Sequence, residues 1–473
     1  MSFVTYDIGL LILFTILLTI FLYRRKNNLK VEGILLLYRT KVGIKIIDRV
    51  AKKYSRLLEF LQPIIIISGI ILMALGTYLL FKLAIPYLTS PTLARDLKVP
   101  VLTPLVPYID KIFGINYFPA PLYFIYWAII LALVAIPHEF FHGIYARLRN
   151  VKVHSTGFGF LRIFKIPTPF LAFFVEPDEK QMAKKKTKDY MAMVASGTFA
   201  NLLTTILLIP IIWIFFSLAF APSGVYLMGY AQAYVNYSES TNIHTVNFAN
   251  STFLELTYAN KTFFTSQDLL NSTLFKSTGI LPAYFDSPAF NAQLNGVIIS
   301  IDSKKIVSYS DLAKSLSSKQ PGQTIKILTK ENNELKSYNI ILSNLSNKAF
   351  LGISLPTQEV RGVGILKYFS AIYKTVDPLG YNAKINGILY ESFLGEFGIF
   401  VYYLLWWLIL ILFSVAVFNM LPAGIFDGGR FVYLIAFSLT KNKKTSEYVY
   451  KICTYALLAL LVAMMLKWVI ILF

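Results

Sequence analysis

The stretch Pro121-Leu-Tyr-Phe-Ile-Tyr-Trp-Ala-Ile-Ile-Leu-Ala-Leu-Val-Ala-Ile-Pro137-His138-Glu139-Phe140-Phe141-His142-Gly-Ile-Tyr145 decides the fold. It is a run long and apolar enough to cross a bilayer as a helix, yet it carries two imidazoles and a carboxylate near its end. On a helix, residues i and i+4 lie about 40° apart on one face. His138 and His142 can therefore point at one metal ion, with Glu139 beside them to take a proton from water. Ionisable groups at hydrocarbon depth are costly unless they pair or serve a function. The bland alternative is two core histidines bonded to backbone, with Glu139 paired to one of them. The chain has only four His, and two fall here. A catalytic zinc usually takes three protein ligands and keeps one position open, so a third ligand has to come from elsewhere.

Composition agrees with a membrane setting. Of 473 residues, 56% are hydrophobic and only 15% charged, which rules out an ordinary soluble globule. The net charge of +20 comes from basic residues in loops beside apolar runs, which is the positive-inside pattern. No nucleic-acid-binding fold or patch accompanies them, so nucleic acid is excluded as a partner. Cys453 is the single cysteine; it lies in the last apolar run and offers neither a disulfide framework nor a thiolate metal site.

Working outward, six spans are expected. The first covers Val4–Tyr23 and is followed at once by Arg24-Arg25-Lys26, which places the N-terminus outside. Val42–Phe60 has helical spacing with many Lys and Arg and reads as a cytoplasmic interfacial helix attractive to anionic lipid. A second span runs from Ile64 to Leu83, and a Pro-rich outside loop fills 87–120. The third, His-bearing span goes inward and ends at Arg147, Arg149 and Lys152. His138 is nine residues before Arg147, roughly 13 Å inside that end. Thr156–Val175 is apolar but broken by Gly, Pro, Arg162 and Lys165, so a re-entrant hairpin and an interfacial loop both satisfy it. His154 just upstream reads as a surface residue. The fourth span, Tyr190–Phe220, carries Gly197-Thr-Phe-Ala-Asn201, where the glycine permits close helix packing and the Asn needs a partner.

Residues 221–395 are far more polar. Sequons stand at Asn236, Asn250, Asn260, Asn271 and Asn344 and nowhere else, which agrees with the span count in putting this insertion outside. Asp286–Asp302, Lys304–Leu316, Pro321–Leu328 and Leu335–Leu342 alternate strands with one helix and a turn at Asp302-Ser303. The order resembles a PDZ domain of membrane proteases. Capture of a peptide C-terminus by strand addition, with a carboxylate loop near Gly279–Pro282, and a purely structural insert both remain open. The fifth span runs from Phe397 to Phe418 and meets Asn419-Met-Leu-Pro422-Ala-Gly-Ile-Phe-Asp427-Gly428-Gly-Arg430. Pro422 and Gly424 break the helix, and Asp427 needs either Arg430 or a metal ion as counter-charge. A last span, Ile452–Phe473, puts the C-terminus outside.

Three motifs now stand together: His138-Glu139-x-x-His142, Gly197-x-x-x-Asn201 and Asn419-x-x-Pro422-x-x-x-x-Asp427-Gly428. In this order, on separate membrane segments, they resemble the site-2 protease family of intramembrane zinc metalloproteases. Phe174-Val-Glu-Pro-Asp-Glu179 resembles its archaeal branch. The resemblance implies one zinc ion per chain on His138, His142 and Asp427, with Glu139 as general base. It further implies that Asn201 holds or polarises the substrate carbonyl, and that Gly197, Asn419, Pro422 and Gly428 shape the site. Ala423-Gly424 after Pro422 departs from the further prolines of many relatives.

The expected fold is a polytopic α-helical membrane protein of about six transmembrane helices with a re-entrant hairpin and an inserted extracytoplasmic α+β PDZ-like domain. The expected segments are 1–120 (two N-terminal spans and their loops), 121–220 (first part of the protease core), 221–275 (sequon-rich), 276–356 (PDZ-like), 357–396 (connector) and 397–473 (second part of the core and last span). The expected partners are single-span membrane substrates and the lipid bilayer, with the active site toward the cytoplasmic side. A catalytically silent PDZ-bearing scaffold and a metal- or proton-coupled transporter are the rivals; a transporter usually shows repeated halves, and none is found in this sequence.

Overall fold

The computed structural model describes residues 3–25, 29–32, 35–90, 105–108, 111, 122–163, 166–248, 251–331, 334–354 and 387–472. Most of the outside loop expected at 87–120, most of the connector expected at 357–396 and the Asn250 sequon lie outside them. The chain forms two compact units, Met1–Phe216 with Phe400–Phe473, and Ser217–Ile399.

In the first unit, helix α1 spans Phe3–Arg24, strands β1 and β2 cover Leu29–Glu32 and Leu35–Thr40, and helices α2 and α3 cover Ile44–Lys53 and Ser55–Thr89. The motif helix α4 runs Phe124–Leu148, β3 and β4 follow at Val153–Ile163 and Ile166–Pro177, then a short α5 at Glu179–Ala183 and the long α6 at Thr187–Ala219. After the second unit come α10 (Gly395–Asn419), α11 (Asp427–Thr440) and α12 (Lys443–Leu472). Six of these helices, α1, α3, α4, α6, α10 and α12, are long and apolar enough to cross a membrane.

The helical spacing expected over 42–60 resolves into two pieces. Helix α2 stops at Tyr54, whose backbone leaves the helical region, and α3 starts from it. Strands β1 and β2 escape a reading by helical period. They continue a four-stranded antiparallel sheet in the order β1-β2-β3-β4. The apolar stretch Thr156–Val175 is thus a β-hairpin, its strands in register from Thr156 opposite Val175 to Phe160 opposite Leu171. Gly157 is required there, because a Cβ would run into the Tyr38 carbonyl of β2 and the ring of Phe174.

Helix α4 opens without a capping residue of its own: Tyr123, at the cap, makes no side-chain bond to it. Buried helix-start N–H groups must still find acceptors. Asp7 of α1, itself 3% exposed, supplies them, accepting from Phe124 N–H at 2.7 Å and Ile125 N–H at 2.9 Å, and also from the Tyr108 hydroxyl. The other end of α4 is packed under α2, where Gly143 leaves room for Ile47 and Val175, and Arg147 pairs with Asp48. The core around it joins Ile47, Ile65, Ile144, Tyr145, Val175, Met193, Ala195, Met420 and Phe431.

The second unit is rich in strands. Strand β5 (Phe220–Tyr226) is followed by β6 (Gln232–Asn236), β7 (Thr241–Phe248), β8 (Ser251–Tyr258), β9 (Lys261–Ser266), a short helix α7 (Thr273–Thr278), β10 (Ile280–Phe285) and α8 (Pro288–Asn291). Then come β11 (Val297–Ile301), β12 (Lys304–Lys305), α9 (Tyr309–Ser317), β13 (Thr324–Glu331), β14 (Glu334–Ile341), the small pair β15 (Ser343–Leu345) and β16 (Lys348–Phe350), and β17 (Ile388–Ser392). One sheet has the order β6-β10-β9-β8-β7 and another β14-β13-β11-β5-β17, with β12 paired to β11. The first sheet takes strands from both sides of position 275/276, so the sequon-rich segment and the start of the PDZ-like segment share a framework. The turn expected at Asp302-Ser303 is present, both residues at positive φ between the paired Ile301 and Lys304.

Candidate metal centre

Helix α4 presents His138 and His142 one turn apart, and α11 presents Asp427 at its first residue. The three side chains meet. His138 Nε2 and His142 Nε2 are 3.1 Å apart, and each is 3.3 Å from Asp427 Oδ2. A tetrahedral ion with bonds of about 2.0–2.2 Å holds its ligand atoms roughly 3.3–3.6 Å apart. The triangle therefore fits such an ion with adjustments of a few tenths of an ångström, and its donor set of two imidazoles and a carboxylate suits zinc. Among the described residues this is the one His/Cys/Asp/Glu group close enough to hold a metal.

Local sequence explains how Asp427 arrives. Asn419 ends α10, and the turn through Pro422 closes with Ala423 N–H on Leu421 O at 2.8 Å and Phe426 N–H on Ala423 O at 2.9 Å. Helix α11 then starts almost on top of that turn. A Cβ at Gly428 would strike the carbonyls of Met420 and Leu421, and one at Gly429 the carbonyl of Ala423. Only glycine allows the approach. Arg430, the other candidate counter-charge for Asp427, instead pairs with Glu179 at 2.5 Å.

Helix α6 closes the site from behind. A side chain on Gly197 would collide with His142 Nε2 and lie 2.8 Å from His138 Nε2. Four residues to one side, the Met193 carbonyl takes the Nδ1 hydrogen of His142 at 2.8 Å. Four residues to the other, the fully buried amide of Asn201 meets His138 Nδ1 at 3.1 Å. Asn201, which the resemblance assigns to a substrate carbonyl, has no exposed surface and stands within hydrogen-bond distance of the His138 imidazole. Glu139 is partly buried and accepts the Val175 N–H of β4 at 3.0 Å. Among the described residues, no strand pairs with β4 on the side away from β3. Val175 also lines an open groove of about 670 Å³ with Arg39, Glu176, Asp178, Glu179 and Arg430. Within it Glu176 is held by Arg39 and by the Ser155 hydroxyl. His154 pairs with Asp178 at the surface. Asn419 is partly buried, and its side chain makes no hydrogen bond among the described residues.

Sequence reading missed the Met193 carbonyl, the Val175 amide and the Glu179 partner of Arg430. The first two are backbone groups, which carry no sequence signal.

A sequence model described as peptidase family M50 matches residues 126–464, well over half of the chain. The chain belongs to peptidase family M50. This is the site-2 protease family of membrane metalloproteases, whose metal is zinc. The matched M50 region takes in all three motifs and the whole ligand triangle. The chain is also similar to an uncharacterized protein of Methanocaldococcus jannaschii, 30% identical over 208 residues, or 43% of this chain. The matched region spans about half the length of that relative. The M50 assignment and the six apolar helices together identify a multi-pass membrane protein of a protease family.

Proposed function

We propose that this chain is a zinc-dependent intramembrane endopeptidase that cuts single-span membrane proteins within or near their transmembrane helices. The observation that carries the reading is the convergence of His138, His142 and Asp427 on one point, with Glu139 on the next residue of the same helix. His138, His142 and Asp427 would hold the zinc, which would supply a water of lowered pKa, toward about 7, and a Lewis acid for the scissile carbonyl. Glu139 takes the proton from the attacking water and passes it to the leaving amine. The Val175 N–H fixes one Glu139 oxygen and leaves the other for that exchange.

A peptide inside a helix is hydrogen-bonded and shielded, so the substrate has to unwind before attack. The unpaired side of β4, which reaches Glu139 through Val175, offers an extended substrate the backbone partners it loses on unwinding. In this reading the β3–β4 hairpin is the re-entrant element, and the groove beside Val175 is the water path from the cytoplasmic side. The basic residues flanking the six spans support an orientation with both termini and residues 221–396 outside. The second unit acts as the PDZ-like element: β14 is an eight-residue strand with no partner on its outer side among the described residues, to which a peptide C-terminus can add.

The test is purified protein beside Glu139→Gln on a panel of single-span substrates, with products sized by mass spectrometry. Wild type is expected to release fragments cut within or next to the apolar segment, and the variant to fall by a factor of about 10²–10⁴ with its zinc retained. Equal cleavage by both proteins would remove Glu139 from the reaction.

A further inference from the structure

Asn201 on α6 contributes no atom to the ligand triangle and touches no solvent. The amide atom assigned as nitrogen, Nδ2, stands 3.1 Å from His138 Nδ1, and the atom assigned as oxygen, Oδ1, has no partner among the described residues. Resting on the zinc reading above, we propose that Asn201 is a positioning residue of the metal centre. Its amide oxygen accepts the Nδ1 hydrogen of His138 and so keeps the Nε2 lone pair of that ring turned into the ligand triangle.

The argument starts from a neutral imidazole, which carries one hydrogen on one of its two nitrogens. If His138 bore it on Nε2, the hydrogen would point at His142 Nε2, 3.1 Å away, and at Asp427 Oδ2, 3.3 Å away, and no lone pair would face an ion. The hydrogen must therefore sit on Nδ1, and whatever meets Nδ1 must accept. The two halves of a carboxamide have the same shape, and which is oxygen is settled by the partner's chemistry. Opposite a donating Nδ1, the Asn201 atom is the oxygen.

His142 is secured in the same manner, its Nδ1 hydrogen taken by the Met193 carbonyl at 2.8 Å. Residues 193, 197 and 201 follow at i, i+4 and i+8, one stripe of α6. The middle position is the glycine that admits both rings. A single face of α6 thus sets which nitrogen each histidine offers. Partners of this kind orient metal-bound histidines, and their loss typically costs a factor of 10–100 in metal affinity.

The experiment compares full-length wild type, Asn201→Leu and Asn201→Asp in one detergent. Zinc affinity is read by competition with a chromophoric chelator, and thermal unfolding is followed alongside. Asn201→Leu keeps the branching at Cγ and loses the acceptor; it is expected to bind zinc 10–100-fold more weakly. Asn201→Asp restores an oxygen and is expected to recover most of that loss. Unchanged affinity in Asn201→Leu with reduced kcat would overturn the proposal in favour of a substrate contact. Equal loss in both variants, tracking their unfolding temperatures, would overturn it in favour of plain helix packing. Zinc-loaded wild type with ¹⁵N-labelled histidine gives a check free of variants, since the chain has four His. A protonated Nδ1 on His138 is expected, and an unprotonated one would contradict the proposal. Wild type that binds no zinc would instead remove the reading on which the proposal rests.

Discussion

At Gly197 the whole metal centre depends on an absent side chain. A methyl group there would occupy space that the rings of His138 and His142 use. Gly197→Ala is expected to keep the helices but lose more than half of the bound zinc, measured by elemental analysis against protein concentration. Asp427 makes the complementary case. With Arg430 engaged by Glu179, the carboxylate has both imidazoles as neighbours and a metal as its natural third. Asp427→Asn is expected to lower zinc stoichiometry while leaving helix content unchanged by circular dichroism. At this scale the sequence was informative wherever chemistry sits in side chains of fixed spacing. It was silent on Met193 and Val175, which act through backbone atoms, and it singled out Asn201 without its neighbour His138, which is set by how two distant helices pack.

Among elements, α4 shows how a membrane helix acquires an end. Its apolar run was plain in the sequence, but nothing near Tyr123 could cap it. The cap is Asp7, 117 residues earlier than the N–H it serves. The first span is thereby tied to the helix that carries the histidines. Losing a helix cap typically costs about 0.5–2 kcal/mol. Asp7→Ala is expected to lower the unfolding free energy in mixed micelles by that order, and a value equal to wild type would remove the cap from the account. The hairpin at 153–177 was half legible. Its Gly and Pro argued against a spanning helix, but the choice between strands and loop turned on β1 and β2, which only tertiary pairing reveals.

At the scale of the whole molecule, the division into a helical unit and a strand-rich unit was visible as a change in composition, and the pairing of β6 with β10 across the expected boundary was not. In the second unit, Lys319 at 2.5 Å and the Lys326 N–H hold the Asp302 carboxyl below the usual carboxylate range. A depressed carboxyl stabilises the fold above its unfolded pKa of about 3.9 and gives up that contribution as pH falls through its lower folded value. Amide protection at the β11–β12 turn, taken relative to the intrinsic exchange rate at each pH, is therefore expected to fall below about pH 4, and Asp302→Asn to flatten that dependence. For sidedness, single cysteines in a Cys453→Ala background are expected to react with an impermeant label from outside at position 260 and only from inside at position 184. The reverse pattern would invert the membrane orientation. The account as a whole stands on one ion between α4 and α11, and zinc K-edge X-ray absorption on the purified chain tests it most directly. It predicts a four-coordinate shell of nitrogen and oxygen at about 2.0–2.1 Å with the outer scattering of two imidazoles. A sample without stoichiometric zinc, or a shell lacking the imidazole signal, would contradict it.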